Sequence, residues 1–368
     1  MATKISKSQT TTALSMAQVM LRRIVQFSIL ALFGYVSIII ALSFDQPQRA
    51  VIYMNWINLP YVDMEFPEMV GFPKNKVRNF KIQTADGARL GAWHVLPTTF
   101  FQANRLNLTQ DSYIEALRSE PTVLYFHGNA GNRAMPWRVN TLRQLSEQLN
   151  VNVIAIDYRG FGDSEGAPTE EGLYLDGRAT WDWLIEKGVA PNTVSILGHS
   201  LGTGVATWLS SNLTAENTPP RATILIAPYS SIPEVMFEYR LLKFLPVLSP
   251  LKSFPYARSF LISQLKHRFD SLSRIKNISG SILFLHGKLD EEIPPRHSHL
   301  LLSMASSGKG VNSTDVERVI YPDEGELYLL RKDGHSTLGY LELKWAHHNN
   351  VPFYDLTFKA IKDFMTTV

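Results

Sequence analysis

Cysteine is absent from the 368 residues. No disulfide, thiolate metal site or cysteine nucleophile is therefore possible, and the fold rests on its packed core alone. A strong charge of either sign is also missing: 36 Lys and Arg against 33 Asp and Glu leave a formal +3. With no zinc-finger, helicase or basic-run pattern, that balance argues against a nucleic-acid partner. The glycines of Tyr158-Arg159-Gly160-Phe161-Gly162-Asp163-Ser164 are followed by no G-K-[ST] and open no G-x-G-x-x-G helix, so a phosphate loop is excluded there. Structural support is the better reading, with Asp157 or Arg159 tying down a neighbouring loop. Internal repeats and low-complexity segments are absent too.

Long apolar runs are rare, and the one present stands near the N-terminus. Ile24 to Phe44 covers 21 residues without a charge. At about 1.5 Å per residue it spans about 30 Å, the thickness of a bilayer core. Residues 1–23 carry Lys4, Lys7, Arg22 and Arg23 and no acid, and Asp45 follows the run. This asymmetry predicts a cytoplasmic tail over 1–23, a signal anchor over 24–44 and everything downstream on the lumenal or extracellular side; the membrane expected is that of the endoplasmic reticulum. A cleaved signal peptide competes, since Ala41 and Ser43 suit a signal peptidase, but the length of the run and its leader favours the anchor. Sequons at Asn107, Asn212, Asn277 and Asn312 all fall beyond it.

Residues 45–76, with Pro47, Pro60, Pro67 and Pro73, read as an irregular juxtamembrane connection. Val77 to Thr84 and Ala88 to Val95 alternate about Ala85-Asp86-Gly87, a β-hairpin that opens the sheet. Thr98 to Glu120 reads as a polar inserted loop with a short helix. From Pro121 onward, apolar runs at Thr122 to Phe126, Val151 to Ile156, Thr193 to Leu197, Ala222 to Ala227, Ser281 to Leu285 and Glu317 to Tyr321 predict strands buried on both faces. The helical stretches between them include Asn140 to Leu149, Glu170 to Lys187 and Arg296 to Ala305, and Asp355 to Met365 forms a closing helix. The alternation predicts an α/β fold over 77–368, with a mostly parallel doubly wound sheet and ligands above the carboxyl ends of the strands. Tyr229 to Phe269 interrupts it, and 229–272 is a cap insertion rich in aromatics. Between 229 and 269, against Glu234 and Glu238, it carries Arg240, Lys243, Lys252, Arg258, Lys266 and Arg268. A cap that lines an acyl channel and rests on an anionic bilayer, and a cap packed on the core with a solvated basic face, fit these residues equally.

Gly198-His199-Ser200-Leu201-Gly202 lies where the strand before it meets a small-residue helix. A sharp turn of this kind exposes the serine Oγ, and the flanking glycines remove Cβ atoms that would collide, so Ser200 is the expected nucleophile. The loop His127 to Asn132 follows another strand, and the N–H of Asn129 or Ala130, with that of Leu201, would form the oxyanion hole. Asp290, first acid after the strand Ser281 to Leu285, is the expected orienting acid, with Glu291 and Glu292 as rivals. His335, in the polar loop Asp333-Gly334-His335-Ser336, is the expected base, which gives the order Ser, Asp, His. His297/His299 and His347/His348 lack the spacing of a metal site, and the chemistry needs no cofactor.

LYFHGNAGNR, IDYRGFGDSEGAPTEEG, GHSLGTGVAT, LFLHGKLDEEIP and GHSTLGY together resemble, in sequence and order, the segments of the α/β-hydrolase superfamily. The resemblance is to its membrane-bound lysophosphatidylserine lipase and monoacylglycerol lipase branch, and it covers about residues 75–367. It implies a serine hydrolase that releases a fatty acid from a lysophospholipid or monoacylglycerol at a membrane. On this chain Ser200, Asp290 and His335 would carry the triad. An acyl-protein thioesterase, or a catalytically silent scaffold or lipid sensor on the same fold, are the alternatives.

Overall fold

The computed structural model describes residues 2–239, 246–308, 313, 316–331 and 336–367. The chain divides into two compact units, one formed by residues up to Gln48 together with Tyr256–Lys266, the other by Arg49–Pro255 and His267 onward.

In the first unit a single helix, Ala2–Ala41, contains a stretch, Gln18–Ala41, long and apolar enough to cross a membrane. The side chain of Gln48 donates to the carbonyls of Leu42 (3.0 Å) and Gln264 (2.8 Å), and its oxygen accepts the N–H of Lys266 (3.0 Å). Part of the expected cap thus groups with the N-terminal helix, and Arg240, Lys243 and their neighbours over 240–245 lie outside the described residues.

The second unit is built on ten strands: β1 (Val77–Gln83), β2 (Arg89–Val95), β3 (Thr122–Phe126), β4 (Asn152–Ile156), β5 (Val194–His199), β6 (Ala222–Ile226), β7 (Ser281–Gly287), β8 (Glu317–Tyr321), β9 (Gly325–Arg331) and β10 (Thr337–Leu343). Their order across the sheet is β1-β2-β4-β3-β5-β6-β7-β10-β9-β8. β4, β3, β5, β6, β7 and β10 run parallel, and the antiparallel pairs lie at the two edges. Every residue of β3 to β7 is buried, as their unbroken apolar runs require when helices cover both faces. The described helices Pro136–Gln144, Glu170–Glu186, Leu201–Ala215, Arg296–Ala305 and Asp355–Thr367 do that covering. The polar stretch after β2 forms two helices, Thr98–Asn104 and Gln110–Ser119, the second capped by Thr109.

The C-terminal third departs from the sequence reading. Glu317–Tyr321 is an antiparallel edge strand with a largely exposed pattern, not a strand buried on both faces. β9 and β10 follow it in the chain, so it is not the last strand in sequence. β10 is parallel to β7 and brings its own carboxyl end, Leu343, to the edge that carries the site.

Candidate active site

Ser200 closes β5 and caps the helix Leu201–Ala215, with φ 52° and ψ −120°. A non-glycine residue with positive φ is strained and is held only by its surroundings. Here the Ser200 N–H donates to Ile226 O at 2.9 Å, and its carbonyl accepts the N–H (2.8 Å) and hydroxyl (2.6 Å) of Thr203. The flanking glycines have a steric reason. A Cβ on Gly198 would sit 2.4 Å from Gly202 O, and one on Gly202 would sit 2.1 Å from Phe126 O.

Asp290 follows β7 as expected. Its Oδ1 accepts the N–H groups of Glu292 (2.9 Å) and Ile293 (2.8 Å). Its Oδ2 lies 2.7 Å from His348 Nδ1 and 3.2 Å from His286 Nε2. Burial alone would raise the Asp290 carboxyl, but the charge of His348 and the hydrogen bonds from His286 and His348 outweigh it and hold the group below the ordinary carboxylate range. The rivals Glu291 and Glu292 are not drawn into this arrangement, apart from the Glu292 main chain.

The histidine that meets the serine is His348, whose Nε2 lies 2.8 Å from Ser200 Oγ. Since Nδ1 faces a carboxylate, it donates there, and Nε2 is left to accept the serine proton. The base expected at this position was His335. His335 lies outside the described residues; β10 opens at Thr337, whose N–H donates to Ser281 Oγ at the first residue of β7. That is the amino end of the parallel strands; the site lies beyond their carboxyl ends, a seven-residue strand away, or about 20 Å. Taking Glu317–Tyr321 as the last strand overlooked β9 and β10, which follow it in the chain. His348 follows β10 directly, and Lys288 N–H to Leu343 O (2.9 Å) and Leu289 N–H to Ala346 O (3.0 Å) continue the β7/β10 pairing and draw the two loops together. The pattern of an apolar TLGYLEL run, a histidine pair and a closing helix was the signal available in the sequence.

His199 supports the same loop. Its Nε2 donates to the His348 carbonyl at 3.2 Å. Burial, reinforced by His348, pushes its imidazole down to about 3, so it stays neutral. The other histidines are held elsewhere: His297 Nδ1 lies 2.9 Å from Ser230 Oγ, and His299 Nε2 lies 3.7 Å from Glu342.

Of the expected oxyanion donors, the structure separates two. Leu201 opens its helix, where main-chain N–H groups have no intrahelical acceptor. Asn129 N–H has no acceptor among the described residues, whereas Ala130 N–H is committed to Tyr53 O at 2.8 Å. Of the expected donors, the N–H groups of Leu201 and Asn129 are the two left without an acceptor among the described residues, and Gly128 lets the loop approach, since a Cβ there would lie 3.2 Å from Ser200 Cβ. Asp157 anchors the loop's far end by accepting from the Arg133 N–H (2.7 Å) and Nη1 (2.5 Å), as read from the sequence. Arg159 instead binds Asp176 and Asp86.

Among the sequons, Asn107 and Asn277 are exposed, Asn212 is half-buried on the helix Leu201–Ala215, and Asn312 lies outside the described residues. The described residues contain no group of three His, Cys, Asp or Glu that could hold a metal ion.

Comparison with known proteins bears on the family and the fold. Residues 121–245 match the model of the alpha/beta hydrolase fold family. The Danio rerio protein named lysophosphatidylserine lipase ABHD12 is 34% identical over 271 residues, which span 73% of this chain and 69% of that one. Its Bos taurus namesake is 33% identical over 298 residues, 80% and 69% of the two chains. Human protein ABHD12B is 33% identical over 290 residues, 77% and 76%. Among solved structures, an alpha-beta hydrolase of Vibrio vulnificus (TM-score 0.54, 14% identity, 80% of this chain and 82% of that one) shares the fold. So does the Pyrococcus furiosus esterase Pf2001 (TM-score 0.55, 16% identity, 84% and 97%). By sequence, fold and the Gly-x-Ser-x-Gly elbow, the chain belongs to the α/β-hydrolase family, in the branch of the lysophosphatidylserine lipases.

Proposed function

We propose that the protein is a membrane-anchored serine hydrolase that cleaves the acyl ester of lysophospholipids, lysophosphatidylserine first among them, and of monoacylglycerols. The observation that carries this reading is His348, bridging Ser200 Oγ at 2.8 Å and Asp290 Oδ2 at 2.7 Å. The names of the relatives supply the substrate class.

The steps follow from the geometry. Ser200 Oγ attacks the ester carbonyl carbon while its proton passes to His348 Nε2, and Asp290 stabilises the resulting imidazolium. The carbonyl oxygen, now negative, is held by the N–H groups of Leu201 and Asn129. Collapse of the tetrahedral adduct breaks the bond to the glycerol oxygen, which leaves as an alcohol with the proton from His348. Water, deprotonated by the same imidazole, then releases the fatty acid and restores Ser200. Gln18–Ala41 would hold the enzyme in the membrane where such lipids reside, with the basic tail cytoplasmic and the catalytic domain lumenal.

The test compares wild type and Ser200→Ala on lysophosphatidylserine, a monoacylglycerol and an acyl thioester, with a fluorophosphonate probe to mark the nucleophile. The expected result is probe labelling at Ser200 and ester hydrolysis lost with it. Faster turnover of the thioester would assign the enzyme to thioesters, and an unlabelled Ser200 would reject the hydrolase reading.

A further inference from the structure

The main-chain groups of the loop Gly128–Asn132 are engaged from two sides. Arg138, fully buried, donates through Nη2 to the carbonyls of Gly128 (3.0 Å), Asn129 (2.9 Å) and Ala130 (2.7 Å), and through Nη1 to that of Asn132 (3.0 Å). No carboxylate pairs with it in an ion pair among the described residues. A buried guanidinium that gathers four carbonyls has found a use for its fork of donors that lysine could not reproduce.

The N–H groups of the same loop turn the other way, toward the connection that leads from the N-terminal helix. Ala130 donates to Tyr53 O (2.8 Å), Gly131 to Ile57 O (2.6 Å) and Asn132 to Leu59 O (3.1 Å). The Asn132 amide reaches Asn58 Oδ1 (3.0 Å) and Pro60 O (3.1 Å), and Asn129 Nδ2 reaches Ile52 O at 3.4 Å. Ala130 and Gly131 both have positive φ, 56° and 59°, a turn that these bonds stabilise. Asn55 and Asn58 in turn donate to the carbonyls of Gly160 (2.9 Å) and Gly162 (3.4 Å), so the connection is itself fixed to the next strand-end loop.

We infer that Arg138 and the connection Tyr53–Pro60 are positioning elements of the oxyanion hole: together they engage the neighbouring main-chain groups and leave the Asn129 N–H aimed at the developing oxyanion. The juxtamembrane segment is thereby a working part of the catalytic site as well as a tether. The inference rests on the triad reading above and deepens it.

The test uses the full chain in detergent, with turnover referred to Ser200 titrated to completion by a fluorophosphonate. Arg138→Lys keeps the charge but loses the fork, and kcat falls about 100-fold with KM nearly unchanged, as when an oxyanion donor is lost. Asn58→Ala removes one tie to Asn132 and lowers kcat about fivefold, while Asn58→Asp, which keeps the acceptor, restores most of it. A merely structural role would lower the melting temperature and the number of titrated sites but leave kcat per site intact; that result, or a rise in KM alone, overturns the inference. Should Arg138→Lys fail to fold, the Asn58 pair decides. Failure of wild type to be labelled at Ser200 would instead strike the functional reading beneath it.

Discussion

Replacement of His348 by alanine removes two contacts at once. The Ser200 hydroxyl loses the acceptor 2.8 Å away, and Asp290 loses the partner at 2.7 Å. The remaining described groups near Asp290, His286 and the N–H groups of Glu292 and Ile293, keep the carboxylate in place, so the fold survives while the proton route is lost. A serine hydroxyl without a base is a weak nucleophile, and members of a triad act as a unit, so kcat falls by at least about 10⁴-fold. At about 1.4 kcal/mol per decade that is at least about 5 kcal/mol of lost transition-state stabilisation. The residual rate comes from the oxyanion hole and substrate binding. The assay is steady-state hydrolysis of lysophosphatidylserine by the purified full chain, with melting temperature and circular dichroism to verify folding. His335→Ala serves as the internal control and keeps turnover close to wild type. Wild-type activity in His348→Ala, or its abolition in a folded His335→Ala, would refute the assignment of the base.

Other consequences can be checked independently. Gly202→Ala places a Cβ 2.1 Å from Phe126 O, which backbone shifts alone can relieve; the variant loses about 3 kcal/mol or more in denaturant unfolding and loses fluorophosphonate labelling with it. Asp290 has a folded pKa depressed from its ordinary 3.8, so the stability it contributes is present above that value and is lost as pH falls through the lower folded one. The unfolded chain binds the proton first, and Asp290→Asn should flatten the acid limb of a stability profile below about pH 4. An unchanged acid limb in a folded variant would count against the ion pair. For topology, glycosidase treatment of the membrane-expressed protein shifts its gel mobility, with the exposed Asn107 and Asn277 as the sites whose loss reduces the shift.

The nucleophile was legible in the sequence because its requirements are local. An apolar strand, two glycines and a small-residue helix lie within twenty residues, and the glycines avoid the collisions that a Cβ at 198 or 202 would meet. The strands β3 to β7 were legible for a similar reason, since burial on both faces leaves an unbroken apolar run. Asp290 followed from the end of one such run.

What the linear order left open depended on partners far away along the chain. Glu317–Tyr321 has the composition of a strand, but its exposure and direction follow from having β9 alone beside it. Only the parallel pairing of β10 with β7 puts His348 at the edge where Asp290 stands. The same holds for the oxyanion hole: Asn129 and Ala130 are adjacent and chemically equivalent in their main chain, and the choice falls to Asn129 because Tyr53, some 75 positions earlier, takes the other N–H. Residue periodicity reports which side chains avoid water, a property each segment carries with it. Which hydrogen-bond donors are already engaged, and which strand end a loop joins, are settled when distant segments meet, and there His348 came to Ser200 and the Ala130 N–H to Tyr53.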